Sequence, residues 1–200
     1  MTSRKGIRQI TDSIGAFPIK SIHNHKNTDG STTLLSTGDN KVWKIDTSTV
    51  PFTSTVQTFT GTPQTITNDN WQWIQYDDDS VGVQAGHKPI HYKGTTGAWM
   101  DLEDTSSYTA PSGVTTFNPS CVLANFGRLW AAGIAEDKET VFYTRTLAHH
   151  EWTGVGSGLI NMRSVWGFDE VVALESFNGK LIIFGKNNIA IYNDPFDPSA

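Results

Sequence analysis

The sequence predicts an all-β chain: a β-propeller-like array of antiparallel meanders, with about four blade-like repeats. Three observations carry this. First, one pattern recurs four times: an apolar strand ending in an aromatic, a polar turn, a second apolar strand, another turn and a third strand. Its second-strand anchors Leu34, Val81, Leu129 and Leu181 lie 47, 48 and 52 residues apart. A period of roughly 40–50 residues with several strands per unit belongs to propeller blades. Second, Thr and Ser are abundant, Gly reaches 18 and aromatics 11%, a profile of strands and tight turns. Third, no window of about 11 residues keeps apolar positions at i, i+3, i+4 and i+7. The best helical candidate, LEDTSSY from Leu102, is short and polar.

An N-terminal arm over 1–15 carries Arg4, Lys5 and Arg8, the nearest approach to a basic cluster, and reads as a solvated terminus. The repeats follow at about 16–65, 66–118, 119–168 and 169–200. The first runs FPIKSIHNHKNTDGSTTLLSTGDNKVWKID from Phe17, with turns at Asp29-Gly30 and Gly38-Asp39-Asn40. The second runs WQWIQYDDDSVGVQAGHKPIHYKG from Trp71 and is wet for an inner strand. The third, Cys121 to Arg145, and the fourth, Val171 to Asn193, are the clearest. In both a Phe (Phe126, Phe177) precedes a Gly (Gly127, Gly179), a basic residue (Arg128, Lys180) and a Leu (Leu129, Leu181). Asn178-Gly179 between VALESF and KLIIFG is a strong hairpin signal, because both residues tolerate positive φ. Lys186-Asn187-Asn188 makes the next turn. CVLANF, VVALESF and LIIFG are apolar enough to be inner strands buried on both faces.

The Thr-rich segments Thr47 to Thr65 and Asp104 to Ser120 are each expected to hold an outer edge strand and the crossing to the next repeat. VQTFT suits such an outer strand. Pro51, Pro63, Pro111 and Pro119 belong at edges and crossings, since proline offers no amide to a central ladder. Four repeats either close a small ring or form part of a larger one. The ending IYNDPFDPSA, with no evident closing strand, leads to the expectation of a portion of a longer protein, or of closure by another subunit.

Two hundred residues suffice for a stable core. A single cysteine, Cys121, excludes an internal disulfide framework and suits a reducing cytoplasm; its place in an apolar strand marks a small buried hydrophobe. No run approaches the roughly 18 apolar residues of a membrane span, and no secretion signal is inferred. The net charge of −5 argues against a large phosphate-gripping surface.

Several clusters invite chemistry. His23 and His25 would share a strand face and could ligate a metal, but no third ligand is near in sequence. His149-His150-Glu151 lacks the HEXXH spacing and reads as a polar loop. Asp77-Asp78-Asp79 lacks the EF-hand spacing and reads as a charged hairpin tip. Asp101, Glu103 and Asp104 form another acidic patch, and carboxylates from separate repeats could pair as a glycosidase acid and base. The tryptophans Trp43, Trp71, Trp73, Trp99, Trp130, Trp152 and Trp166 could stack on sugars, but core packing explains most of them. STGDNKVW faintly resembles a sialidase Asp-box with its glycine displaced. Gly154 to Gly158 is glycine-rich without a following helix to present amides to a phosphate, and GxSxG, P-loop and GxGxxG motifs are missing. This reading assigns no catalytic, cofactor-binding or metal residues and no enzymatic activity.

FGRLWAAG (Phe126 to Gly133), ETVFYTRTLAHHEWTG (Glu139 to Gly154) and VVALESFNGKLIIFGKNNIAIY (Val171 to Tyr192) together resemble the tail nozzle proteins of short-tailed bacteriophages. These are also called tail tubular protein B or the stabilisation protein of packaged DNA. The family shows a GRLWxAG strand, a TVYxS strand, a Trp after a short loop and an I-x-AL-x-x-F-x-x-x-L-I-I-F strand pair. Thr144 departs from the usual small position, and His149-His150-Glu151 stands where a Pro-containing loop is common. The RKGIR start and the STGDNKVWKID hairpin match in style alone. The resemblance implies a propeller in a homo-oligomeric ring, a virion tail component assembled in the host cytoplasm. It implies contacts with an adaptor ring towards the portal and with fibres or spikes, and DNA passing through the lumen without specific binding. The alternatives are a carbohydrate-binding or carbohydrate-cleaving propeller for host-surface recognition and a generic protein-interaction propeller.

Overall fold

The computed structural model describes residues 18–48, 50–61, 64–66 and 70–196. The expected arm over 1–15 and the edge proline Pro63 lie outside them. The chain divides into two compact units, one of residues 1–58 and 66–70, the other of residues 59–65 and 71–200. Among the described residues the regular structure is strand, apart from a 3₁₀ turn at Leu102–Asp104 and a single helical turn at Arg163–Trp166. The helical candidate after Leu102 therefore closes after one turn.

The first unit holds one antiparallel sheet, β1 (Ser21–Lys26), β2 (Thr32–Gly38), β3 (Lys41–Asp46) and β4 (Thr53–Val56), in chain order. Gly38 pairs with Lys41 around Asp39 and Asn40, at φ 55 and 53. Two residues of positive φ make the type I′ turn, whose twist matches that of the flanking strands.

The second unit holds three sheets. They are β5 (Gln72–Tyr76) to β8 (Ala98–Asp101) through β6 (Asp79–Val83) and β7 (Ile90–Lys93); β9 (Cys121–Asn125) to β12 (Gly158–Asn161) through β10 (Arg128–Ala132) and β11 (Thr140–Tyr143); and β13 (Val171–Phe177), β14 (Lys180–Gly185) and β15 (Ile189–Tyr192). Each is an antiparallel meander in chain order. The two-residue turn recurs at Phe126-Gly127 and at Asn178-Gly179, all four residues at positive φ. Phe126 is an unusual residue for this conformation. Its amide donates to Asn125 Oδ1 at 2.7 Å, and its buried ring meets Trp130 edge-on, with centroids 6.3 Å apart.

The core forms on both faces of the β9–β12 sheet. Along β10, Leu129 and Ala131 enter a cluster with Val81, Val83, Phe117 and Phe142. Trp130 and Ala132 enter another with Val141, Leu174, Leu181 and Ile183. This is the period-2 alternation of a strand with both sides covered. The first strand of each sheet also lies against the first strand of the next, β5 against β9 and β9 against β13. Arg128, buried at the start of β10, donates to the carbonyls of Thr144 (2.9 Å), Gly156 and Phe196 (3.3 Å).

Some expectations need correction. VVALESF and LIIFG are not covered on both faces: Val172 and Phe177 are exposed and Ile182 and Phe184 half-buried, because the outer side of the β13–β15 sheet carries no further sheet among the described residues. VQTFT is not one strand. Val56 ends β4, whereas Phe59 makes an isolated parallel bridge to Trp99 and stacks edge-on against it, 6.4 Å between centroids. Asp104 to Ser120 contains no strand; the outer strand of that sheet is β8, immediately before it, and Thr109 makes only a single parallel bridge to Glu151.

Leu129→Ala is expected to cost about 2–5 kcal/mol, as a cavity opens where nothing can collapse, whereas Val155→Ala, 96% exposed, should stay within about 0.5 kcal/mol; urea unfolding checks both. Gly82 lies under Trp73, whose ring a Cβ would meet at 2.7 Å. Trp71 and Trp99 hold that ring in turn, at centroid distances of 6.4 and 5.7 Å. Gly82→Ala should therefore destabilise by about 1–3 kcal/mol through overpacking.

Candidate metal centre

Asp79 opens β6, and Val81 and Val83 follow at alternate positions, so the three share the face turned towards the β9–β12 sheet. His91 stands directly opposite Val81 on β7. Opposed residues of an antiparallel pair share a face, which brings His91 diagonally beside Asp79.

His149 arrives from the neighbouring sheet, on the tight turn after β11. That turn is closed by hydrogen bonds from Ala148 N to Arg145 O (3.2 Å) and from Arg145 N to Glu151 O (2.9 Å), and tied to the β9–β10 hairpin by Leu147 N to Gly127 O (2.9 Å). Tyr76 of β5 flanks the His149 ring, with centroids 5.9 Å apart, and its hydroxyl donates to Gly127 O at 2.6 Å.

The two imidazoles converge on one carboxylate oxygen. His91 Nε2 is 3.1 Å and His149 Nε2 3.4 Å from Asp79 Oδ2, and their ring centroids are 5.0 Å apart. Ligand atoms of all three residues lie within 4.8 Å of one another. At neither Nε2 is the approach well aligned for a hydrogen bond, although His91 lies near enough to act on the carboxyl as a weak donor. The far atom of two of the residues is anchored: His91 Nδ1 lies 3.0 Å from Thr105 Oγ1, and Gly94 N donates to Asp79 Oδ1 at 3.2 Å.

Burial, reinforced by His91, pushes the His149 imidazole down to about 4, so it is neutral at pH 7. For Asp79 burial acts upwards, but contact with His91 and the charges of His91 and His149 outweigh it. Its carboxyl stays below the usual value and ionised. Two imidazoles and a carboxylate form a donor set able to hold a divalent transition-metal ion.

The acidic triplet expected as one charged tip is thus divided. Asp77 sits in the turn at φ 54, Asp78 is buried, and Asp79 faces the histidines. The His149-His150-Glu151 loop is divided as well: His149 turns inward, His150 O accepts from Thr109 N at 3.0 Å, and Glu151 pairs with Arg145 at 3.0 Å. His91 drew no notice in the sequence. Its available signal was parity, a histidine at the centre of the apolar strand IHYK.

The remaining candidates are structural. Asp101 is buried, its pKa raised by that burial, and it accepts from Gln64 Nε2 at 3.0 Å. Glu103 pairs with Lys88. Trp71, Trp99, Trp130 and Trp152 are buried, as core packing requires. Cys121 lies in the core, and burial raises its thiol to about 11, which keeps it unreactive.

His23 and His25 do share a face of β1 in the first unit, with His25 fully buried. Among the described residues no third ligand joins them. Burial, and then the neighbouring His25, lowers His23 to about 4. The unfolded chain takes up this proton near pH 6.5 and the folded chain only near 4. The stability is therefore complete above about pH 6.5 and is lost as pH falls towards 4. His23→Gln should flatten that slope, read as the thermal midpoint by circular dichroism across pH 4–7.

Neither a family model nor a curated protein matches the chain. Among solved structures it is similar to the extracellular domain of a one-component system from B. thetaiotaomicron, at 13% identity and a TM-score of 0.53. The match covers 90% of this chain and 22% of that one, so this chain spans about a fifth of its length. A glutaminyl cyclase from Myxococcus xanthus matches at 14% identity and a TM-score of 0.43, over 89% of this chain and 75% of that one. The first likeness bears on the fold alone, and the second carries no argument. Among the described residues no helix is long and apolar enough to cross a membrane.

Proposed function

We propose that the chain is a structural component of the tail nozzle of a short-tailed bacteriophage. In this reading it is a propeller-like array of blades that forms part of the DNA ejection conduit and a platform for neighbouring tail proteins. The observation that carries the reading is the order of packing. Successive meanders stack in chain order with β5, β9 and β13 side by side, as strands nearest a common axis do in a propeller. The FGRLWAAG segment, one of the three on which the resemblance rests, lies where both cores of the second unit meet.

A second observation supports assembly. The outer face of the β13–β15 sheet presents Phe177, Ile189 and Ile191, 74%, 66% and 60% exposed, with Ile182 and Phe184 between them. Large apolar surface on one exposed face belongs to interfaces. In the nozzle this face packs on the neighbouring copy in a homo-oligomeric ring, while loops at the blade ends meet the adaptor ring and the fibres. DNA passes without specific binding, in keeping with a net charge of −5. The protein works in the virion tail after assembly in the host cytoplasm, and its role is not enzymatic.

Light scattering of the purified chain should give the mass of a closed ring, visible as annular particles by negative staining. Ile191→Asp should reduce it to monomer with the fold intact by circular dichroism. A wild-type protein that stays monomeric at tens of micromolar would overturn the reading.

A further inference from the structure

We propose that Asp79 Oδ2, His91 Nε2 and His149 Nε2 bind one divalent transition-metal ion, Zn²⁺ by its chemistry, which staples the β5–β8 sheet to the β9–β12 sheet. This site is independent of the nozzle reading.

The spacing of the ligand atoms is the first argument. In a tetrahedral zinc site with bonds of about 2.0–2.2 Å, ligand atoms stand about 3.3–3.6 Å apart. The observed separations from Asp79 Oδ2, 3.1 and 3.4 Å, lie close to that edge length. The second argument is electrostatic. A carboxylate oxygen and two buried imidazole nitrogens converge on one spot, and neither nitrogen has a well-aligned hydrogen bond there. A buried polar group left so is costly, and a cation at their centre satisfies all three at once.

The outer contacts fit the same role. When His91 Nδ1–H donates to Thr105 Oγ1, Nε2 keeps its lone pair for a metal. The Gly94 amide occupies Asp79 Oδ1 and leaves Oδ2 to face the histidines. The mixed nitrogen and oxygen set disfavours Ca²⁺ and Mg²⁺, which take oxygen ligands. The His91 side chain is 1% exposed, but those of Asp79 and His149 are 18% and 12% exposed, which gives the ion an entry path and water the fourth position.

The test titrates Co²⁺ and then Zn²⁺ into the full chain after chelation and dialysis. We expect one Co²⁺ per chain with intense visible bands of four-coordinate cobalt, displaced by Zn²⁺, and a thermal midpoint raised by about 5–10 °C at a hundredfold excess over Kd. Asp79→Asn and His149→Gln, with folding checked by circular dichroism, should weaken binding at least tenfold, and His150→Gln should leave it unchanged. In wild-type protein, ¹⁵N imidazole spectra should show two histidines whose Nε2 signals move on adding Zn²⁺. The proposal is overturned by a stoichiometry below one at millimolar metal, by folded Asp79 or His149 variants that bind like wild type, or by Nε2 signals that do not move.

Discussion

Burial of both faces of the β9–β12 sheet is the constraint on which the second unit depends. Every residue of β10, RLWAA, is buried, and its side chains alternate between two separate clusters. Leu129 reaches the sheet before and Trp130 the sheet after, so one strand joins three sheets. A slip of one residue in register would exchange those two side chains and mismatch both clusters. Arg128 holds the start of the strand through carbonyls of three different segments, and its guanidinium lies 5.4 Å from the centre of the Tyr143 ring. The middle meander is therefore specified from both sides.

Register depends in turn on the hairpins. A two-residue loop permits one pairing of its strands, and the type I′ geometry turns them with the twist a sheet needs. Asp39-Asn40 and Asn178-Gly179 use residues that accept positive φ readily. Phe126 does not, and it is held there by the Asn125 side chain and by the burial of its ring against Trp130. Local strain at one turn is offset by aromatic packing that itself belongs to the core.

The same register produces the polar junction. Because Val81 pairs with His91, Asp79 and His91 must emerge on the face that meets the next sheet. That sheet is pinned by Leu129 and Phe142, and the turn after its third strand, tied to Gly127 through Leu147, delivers His149. The proposed scaffold role and the proposed metal staple are compatible: packing sets the sheets face to face, and three polar side chains mark one point of the seam.

The sequence by itself determined the β class, the meander order and the turns. These follow from short-range rules: period-2 apolarity, Asn-Gly and Asp-Asn pairs, and prolines kept out of the strands. It also showed that Cys121 and most tryptophans belong to the core, since apolar context is visible in a strand. The junction was not legible, because Asp79, His91 and His149 come from three separate segments, and Asp79 and His149 stand in polar runs that look solvated. Which acid of the triplet turns inward depends on strand parity, and which histidine meets it depends on one sheet packing on another. The open apolar face of the β13–β15 sheet was missed for a related reason. An apolar strand declares that it will be covered on some side, and only the placement of its neighbours decides which side is left bare.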